Sequence, residues 1–315
     1  MRKMTKRLVI PFLAAAFFAA VGTVGVADTA SAEPFNQGPK KCAECHKAEF
    51  EIWEGTKHAK SFKTVHKADK AKDIAKATGS KSMKKNETCV QCHYTLVAKD
   101  AGKKAKPKAG PSCESCHGAS SDWFPIHNDY GGPSVKADQE SADHKAARIA
   151  NAEAAGMRWS FDRYGIAENC NECHGLANPG VAGDKLAIML EGGHPANANW
   201  EYVEYSQGSI RHRFYPPDMT KNAEMTPAEM SRAFVIGQAA KLVSATAAMG
   251  NSDSAKYKEF QEARAAAARA ALAGVDAAKA LLDNPTRENA VALTEAIQGQ
   301  DLSGAVGSML PSSFK

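Results

Sequence analysis

Every cysteine in this 315-residue chain belongs to one of four Cys-x-x-Cys-His motifs: Cys42–Cys45–His46, Cys89–Cys92–His93, Cys113–Cys116–His117 and Cys170–Cys173–His174. Two thiols three residues apart can each add to one vinyl group of a haem. The histidine that follows then stands beneath the iron as its proximal ligand. Four such motifs with no cysteine left over point to four covalently bound haem c groups. Other uses of paired cysteines leave part of the pattern without a role. Structural zinc does not need a histidine after each second cysteine, and a disulfide framework gives the four histidines nothing to do. A thioredoxin-like site needs one motif in a βαβ setting, and no such setting is present.

Ten histidines less the four proximal ones leave His58, His66, His127, His144, His194 and His212. Each iron has a second axial position, filled by a protein ligand or open to a small molecule. Two histidines on one iron keep it six-coordinate and low in potential, with little rearrangement between redox states, which suits electron transfer. Met219, Met225, Met230 and Met249 are alternative donors, but with histidine plentiful they read as packing residues.

The elements that must hold these groups fall into three parts. Arg2, Lys3, Lys6 and Arg7 precede an apolar run and then Ala30-Ser31-Ala32, so residues 1–32 read as a cleaved secretory signal peptide. Residues 33–221 hold all the cysteines, histidines and tryptophans, in turn-rich sequence with short helices. Attachment motifs recur there at unequal spacings of 47, 24 and 57 residues, which excludes a simple tandem repeat. Residues 99–111, rich in Lys, Gly and Pro, read as a linker. Residues 222–315 are alanine-rich and helical. Thr226-Pro227-Ala228-Glu229 is a capping box, with Val235, Ile236, Ala239, Leu242 and Val243 at helical period behind it. A second helix is expected from Ser254 to Leu282, and a third, after Asn284-Pro285, to about Gln298. This region reads as an appendage on the haem domain, or as a hairpin for homo-oligomers or partner docking. The expected fold is therefore a mainly α, loop-rich multihaem cytochrome whose haems form the core, with a helical hairpin or bundle at the C-terminus. Aromatic residues make up only 7% of the chain, so porphyrins would have to supply apolar bulk.

Formal charge is +5, and residues 33–111 carry eighteen lysines against nine acidic residues. That surplus reads either as a solvated face or as a docking patch for an acidic protein. No basic-aromatic pattern suggests nucleic acid, and stable membrane insertion is not expected once the leader is removed.

Lys41-Cys42 through Trp53 to His58-Ala59-Lys60, Cys89-Val90-Gln91-Cys92-His93, and Cys113-Glu114-Ser115-Cys116-His117-Gly118 with His127 ten residues on together resemble the tetrahaem cytochrome c-554 family. The resemblance covers about residues 40–220 and leaves out the helical tail. The family's namesake accepts electrons from hydroxylamine oxidoreductase in ammonia oxidisers. Carried over residue by residue, the resemblance implies axial pairs His46 with His127, His174 with His58, and His117 with a histidine well after the fourth motif, for which His212 fits by separation. The second haem, on His93, is five-coordinate in the namesake. Gly193-His194-Pro195 departs from the pattern and makes His194 a candidate to close that site, and the choice between His194 and His212 stays open.

The leading reading is a periplasmic tetrahaem electron carrier between a donor and an acceptor protein, from an oxidoreductase or the quinol side to an acceptor such as a terminal reductase. The alternative is a redox enzyme acting on nitric oxide, nitrite or hydroxylamine at an open second haem.

Overall fold

Short capped helices build the first two-thirds of the molecule, and the attachment motifs sit at their ends. The computed structural model describes residues 33–315; the expected signal peptide lies outside the described residues. α1 (Pro39–Cys42) runs into the first motif, whose chain keeps turning as His46 N–H donates to Cys42 O at 2.9 Å. α2 (Lys47–Gly55) and α3 (Lys57–Thr64) follow, with Thr56 capping α3 by accepting from Ala59 N–H at 3.1 Å. After α4 (Ala71–Ala77), Asn86 accepts from Thr88 and Cys89 N–H to start α5 (Glu87–His93), whose last turn is the second motif. The third motif is itself a helix, α6 (Cys113–His117), followed by α7 (Phe124–His127) and α8 (Ala142–Ala154). Asp162 caps α9 (Arg163–His174), whose last turn is the fourth motif. The reason is shared: at helical pitch, positions three apart lie on one face, so a turn of helix presents both thiols to one side.

The stretch expected to be a linker is partly structured. β1 (Thr95–Val97) and β2 (Lys106–Ala109) pair antiparallel, with Thr95 opposite Ala109 and Val97 opposite Lys106. Lys106-Pro107-Lys108-Ala109 alternates, and its even positions are exposed, an edge-strand pattern that the lysine content obscured. The hairpin joins the second motif to the third in sequence, and Thr95 Oγ1 lies 2.8 Å from Ser112 Oγ and 3.1 Å from Ser115 Oγ. Residues 36–38 are stitched to the same place: Gln37 and Gly38 N–H donate to the buried Glu114 carboxylate at 2.7 Å each, and Asn36 Nδ2 donates to Leu96 O at 2.9 Å.

α10 (Gly183–Glu191) and α11 (Tyr202–Ser206) lead to the tail. α12 (Pro227–Met249) begins at the expected capping box, with Thr226 N–H donating to Glu229 Oε2 at 2.8 Å and Glu229 N–H to Thr226 Oγ1 at 3.2 Å. It is buried on every side, at Val235, Ile236, Ala239, Ala240 and Leu242, because α9, α11, α13 (Ala255–Leu272), α15 (Arg287–Ala296) and α16 (Ser303–Val306) surround it. The expected helix from Ser254 to Leu282 is shorter than anticipated. It stops at Leu272, turns at Gly274, and resumes as α14 (Lys279–Asp283). The break lets both Val275 and Leu281 enter the core, which one straight helix could not do. That core crosses residue 222: Tyr164, Ala167, Tyr202 and Val203 pack against Phe234, Leu242 and Leu272. A second cluster joins Leu176, Leu186 and Leu190 to Ala248 and Tyr257. No helix among the described residues is long and apolar enough to cross a membrane.

Candidate haem centres

Each proximal histidine faces one other histidine across a narrow gap. Ring centroids are 6.4 Å apart for His46 and His127, 5.9 Å for His58 and His174, 5.8 Å for His93 and His194, and 6.3 Å for His117 and His212. Metal–imidazole bonds run about 2.0–2.1 Å; with each centroid about 1.1 Å behind its nitrogen, two imidazoles on opposite faces of one metal have centroids about 6.3 Å apart. All four gaps fit a single iron between two rings. No three His, Cys, Asp or Glu side chains converge as a protein-only metal site requires among the described residues, and none of the eight cysteines pairs as a disulfide. The donor set fits haem iron, which takes four ligands from its porphyrin and two from the chain.

Protonation and orientation agree with this fit. His117 Nδ1–H donates to Arg158 O at 2.8 Å, His127 to Phe124 O at 2.7 Å, His194 to Pro195 O at 2.8 Å and His212 to Ile210 O at 2.6 Å. A carbonyl oxygen only accepts, so Nδ1 carries the proton and Nε2 keeps its lone pair for a metal. Burial holds His93, His117 and His174 down to about 4, and pushes His58, His127 and His194 below the ordinary imidazole range. Neutral rings at physiological pH are what ligation requires. His174 is further held by Trp200, stacked on it at 4.7 Å and 6°, with Tyr205 stacked on Trp200 at 5.6 Å.

The remaining two histidines face no other ring among the described residues. His144 Nδ1 lies 2.8 Å from Glu140 Oε1, in a cluster where Arg148 binds both Glu140 oxygens. Arg148 also donates to His127 O at 2.7 Å, so this cluster braces α7. His66 is exposed at the end of α3.

Thiols of different motifs are neighbours. Cys42 lies against Cys113, and Cys92 against Cys173, while Cys116 neighbours both Cys173 and Cys170. Burial raises the Cys116 thiol to about 11. Arg158 locks the third motif by donating to Cys116 O at 2.7 Å, and Asn169 Nδ2 donates to Ser115 O at 2.9 Å from the helix of the fourth. The sequence held no sign of the carbonyl acceptors, which any residue supplies, nor of Trp200, whose position opposite His174 depends on α11.

Residues 41–118 match the family model described as Cytochrome c554 and c-prime. Cytochrome c-554 of Nitrosomonas europaea is 30% identical over 162 residues, which are 50% of this chain and 64% of that protein. The chain therefore spans less than two thirds of that relative's length. No solved structure matches.

Proposed function

We propose, for a chain whose residues 41–118 belong to the cytochrome c-554 family, that it carries electrons through four bis-histidine haems on the periplasmic side of a bacterial membrane. A c-type cytochrome with covalently bound haem is the family's character. The number four rests on the motifs and on the four facing ring pairs.

The haems supply one-electron exchange between ferric and ferrous iron. The chain does the rest. Cys42, Cys45, Cys89, Cys92, Cys113, Cys116, Cys170 and Cys173 would anchor the rings as thioethers. His46, His93, His117 and His174 would hold one face of each iron, and His127, His194, His212 and His58 the other. Fixed imidazoles on both faces exclude small ligands and keep reorganisation low. With the thiols as neighbours, the centres would run first, third, fourth, second, and an electron would travel between the ends marked by Cys42 and Cys89. Porphyrins would also form the core of residues 33–221. The exposed lysines of 33–111 would steer an acidic donor or acceptor into a small, short-lived contact.

The observation that carries this reading over small-molecule catalysis is His194, 5.8 Å from His93, where an enzyme would need an open position. Electron paramagnetic resonance of the ferric protein, with and without nitric oxide, tests it. Only low-spin signals, unmoved by nitric oxide, are expected, with one high-spin haem appearing in His194→Ala. A high-spin, nitric-oxide-binding haem in the unaltered protein would overturn the assignment.

A further inference from the structure

We propose that Arg264, on α13, is a redox-tuning residue: its buried, uncompensated charge raises the reduction potential of the haem on His174. This rests on the reading above only in placing a haem at the fourth motif.

Arg264 is 1% exposed, and every partner it has is neutral. Its guanidinium donates to Gln261 Oε1 at 2.7 Å, Asn171 Oδ1 at 3.0 Å and Ser244 Oγ at 3.0 Å. No carboxylate among the described residues lies within ion-pair distance of it. Asn171 stands between Cys170 and Cys173, inside the attachment motif. Gly175 directly follows His174, and a Cβ there would collide with the guanidinium, so the charge presses on the motif from both sides of the histidine.

The contact is built, not incidental. Tyr257, Gln261 and Arg264 share one face of α13. Tyr257 Oη donates to Leu176 O at 2.6 Å and Gln261 Nε2 to Gly175 O at 3.0 Å, satisfying carbonyls just past the end of α9. The negative end of the α9 dipole offsets part of the cost of burying the cation. Arginine cannot shed its proton to escape burial, and although desolvation lowers it to about 10 it stays charged at neutral pH.

No carboxylate acts on Arg264, while Glu172 inside the motif acts on Cys170 and Cys173, is pushed up by burial and is countered by Arg158. Lys241 is a second buried cation, lowered to about 8 by desolvation and by Arg264. Glu201 and Glu204 act on Lys241 rather than on Arg264, and Glu204 is also paired with Lys315 at 3.0 Å. Adding one electron to ferric iron removes one positive charge from the centre. A fixed cation in a dry site favours that product, and charges act most strongly where water is excluded.

Spectroelectrochemical titration of the haem-loaded protein, with dithionite supplying the electrons, decides the matter. In Arg264→Met one of four midpoints is expected to fall while three stay, and Arg264→Lys should restore it. Gln261→Glu keeps the guanidinium but gives it a counter-charge, and should lower the same midpoint; it decides the question if Arg264→Met fails to fold. Four unchanged midpoints in Gln261→Glu, or a fall in Arg264→Lys equal to that in Arg264→Met, would overturn the proposal. Haem counting by mass separates this from failure of the haem assignment, because a protein with no haem at Cys170 and Cys173 carries only three.

Discussion

Residues 33–221 and 222–315 hold themselves together by different means. The tail has nearly as many buried apolar side chains as the preceding segment, which is twice as long. From Glu33 to Lys70 no apolar side chain except Pro39 is buried. The tail packs around α12 together with α9 and α11 of the earlier segment, with Leu242, Leu272, Leu281 and Ile297 fully enclosed. The earlier region is held by capped short turns, by Glu114 gathering the amides of Gln37 and Gly38, and by histidines facing one another. A region with about half the tail's density of buried apolar side chains needs another source of apolar burial. Porphyrins placed between the ring pairs would provide it.

The sharpest way to break that contrast is to make the chain without haem attachment. Hydrogen exchange should then show α5 and α6 unprotected, while amides in α12 keep most of their protection. Native protection at all three would refute the idea that the earlier region depends on its cofactor. Acid should separate the two regions next. Proton and iron compete for the same Nε2 of His93, His117 and His174, and a free imidazole takes the proton near about 6.5, so acid favours the released, unfolded histidine. The contribution of ligation is complete above about pH 6.5 and declines as pH falls below it. Circular dichroism and the Soret band followed together over this range should show the haem region loosening before the tail; simultaneous loss would merge the two. The smallest effect is a single side chain. Leu272→Ala in the tail core should cost about 2–5 kcal/mol in denaturant unfolding with no change in the haem spectrum. A shift in spin state would mean that the two regions are mechanically one.

The chemistry was the most legible part of the sequence, because attachment and proximal ligation depend on residues adjacent in the chain. Helix starts were also readable, as Thr226 and Glu229 cap each other where the pattern said they would. The overrun of α13 was not: Gly274 is a weak breaker in an alanine-rich run, and the break there is set by where Val275 and Leu281 must be buried. The β-hairpin was hidden by lysines, which suit an exposed edge strand as well as a linker. Which histidine faces which was beyond spacing alone, since His58 and His174 are brought within 5.9 Å only by the whole fold. Arg264 gave no signal, because an arginine in a helix is ordinarily solvated.

The carbonyls that hold His117, His127, His194 and His212 have a consequence for anyone altering this protein. Those acceptors belong to the main chain of Arg158, Phe124, Pro195 and Ile210, so replacing the side chains there leaves the oxygens in place. Imidazole rotation at four positions is thereby insulated from most point substitutions. The anisotropy of the corresponding resonance signals becomes a gauge of backbone displacement, readable without a crystal.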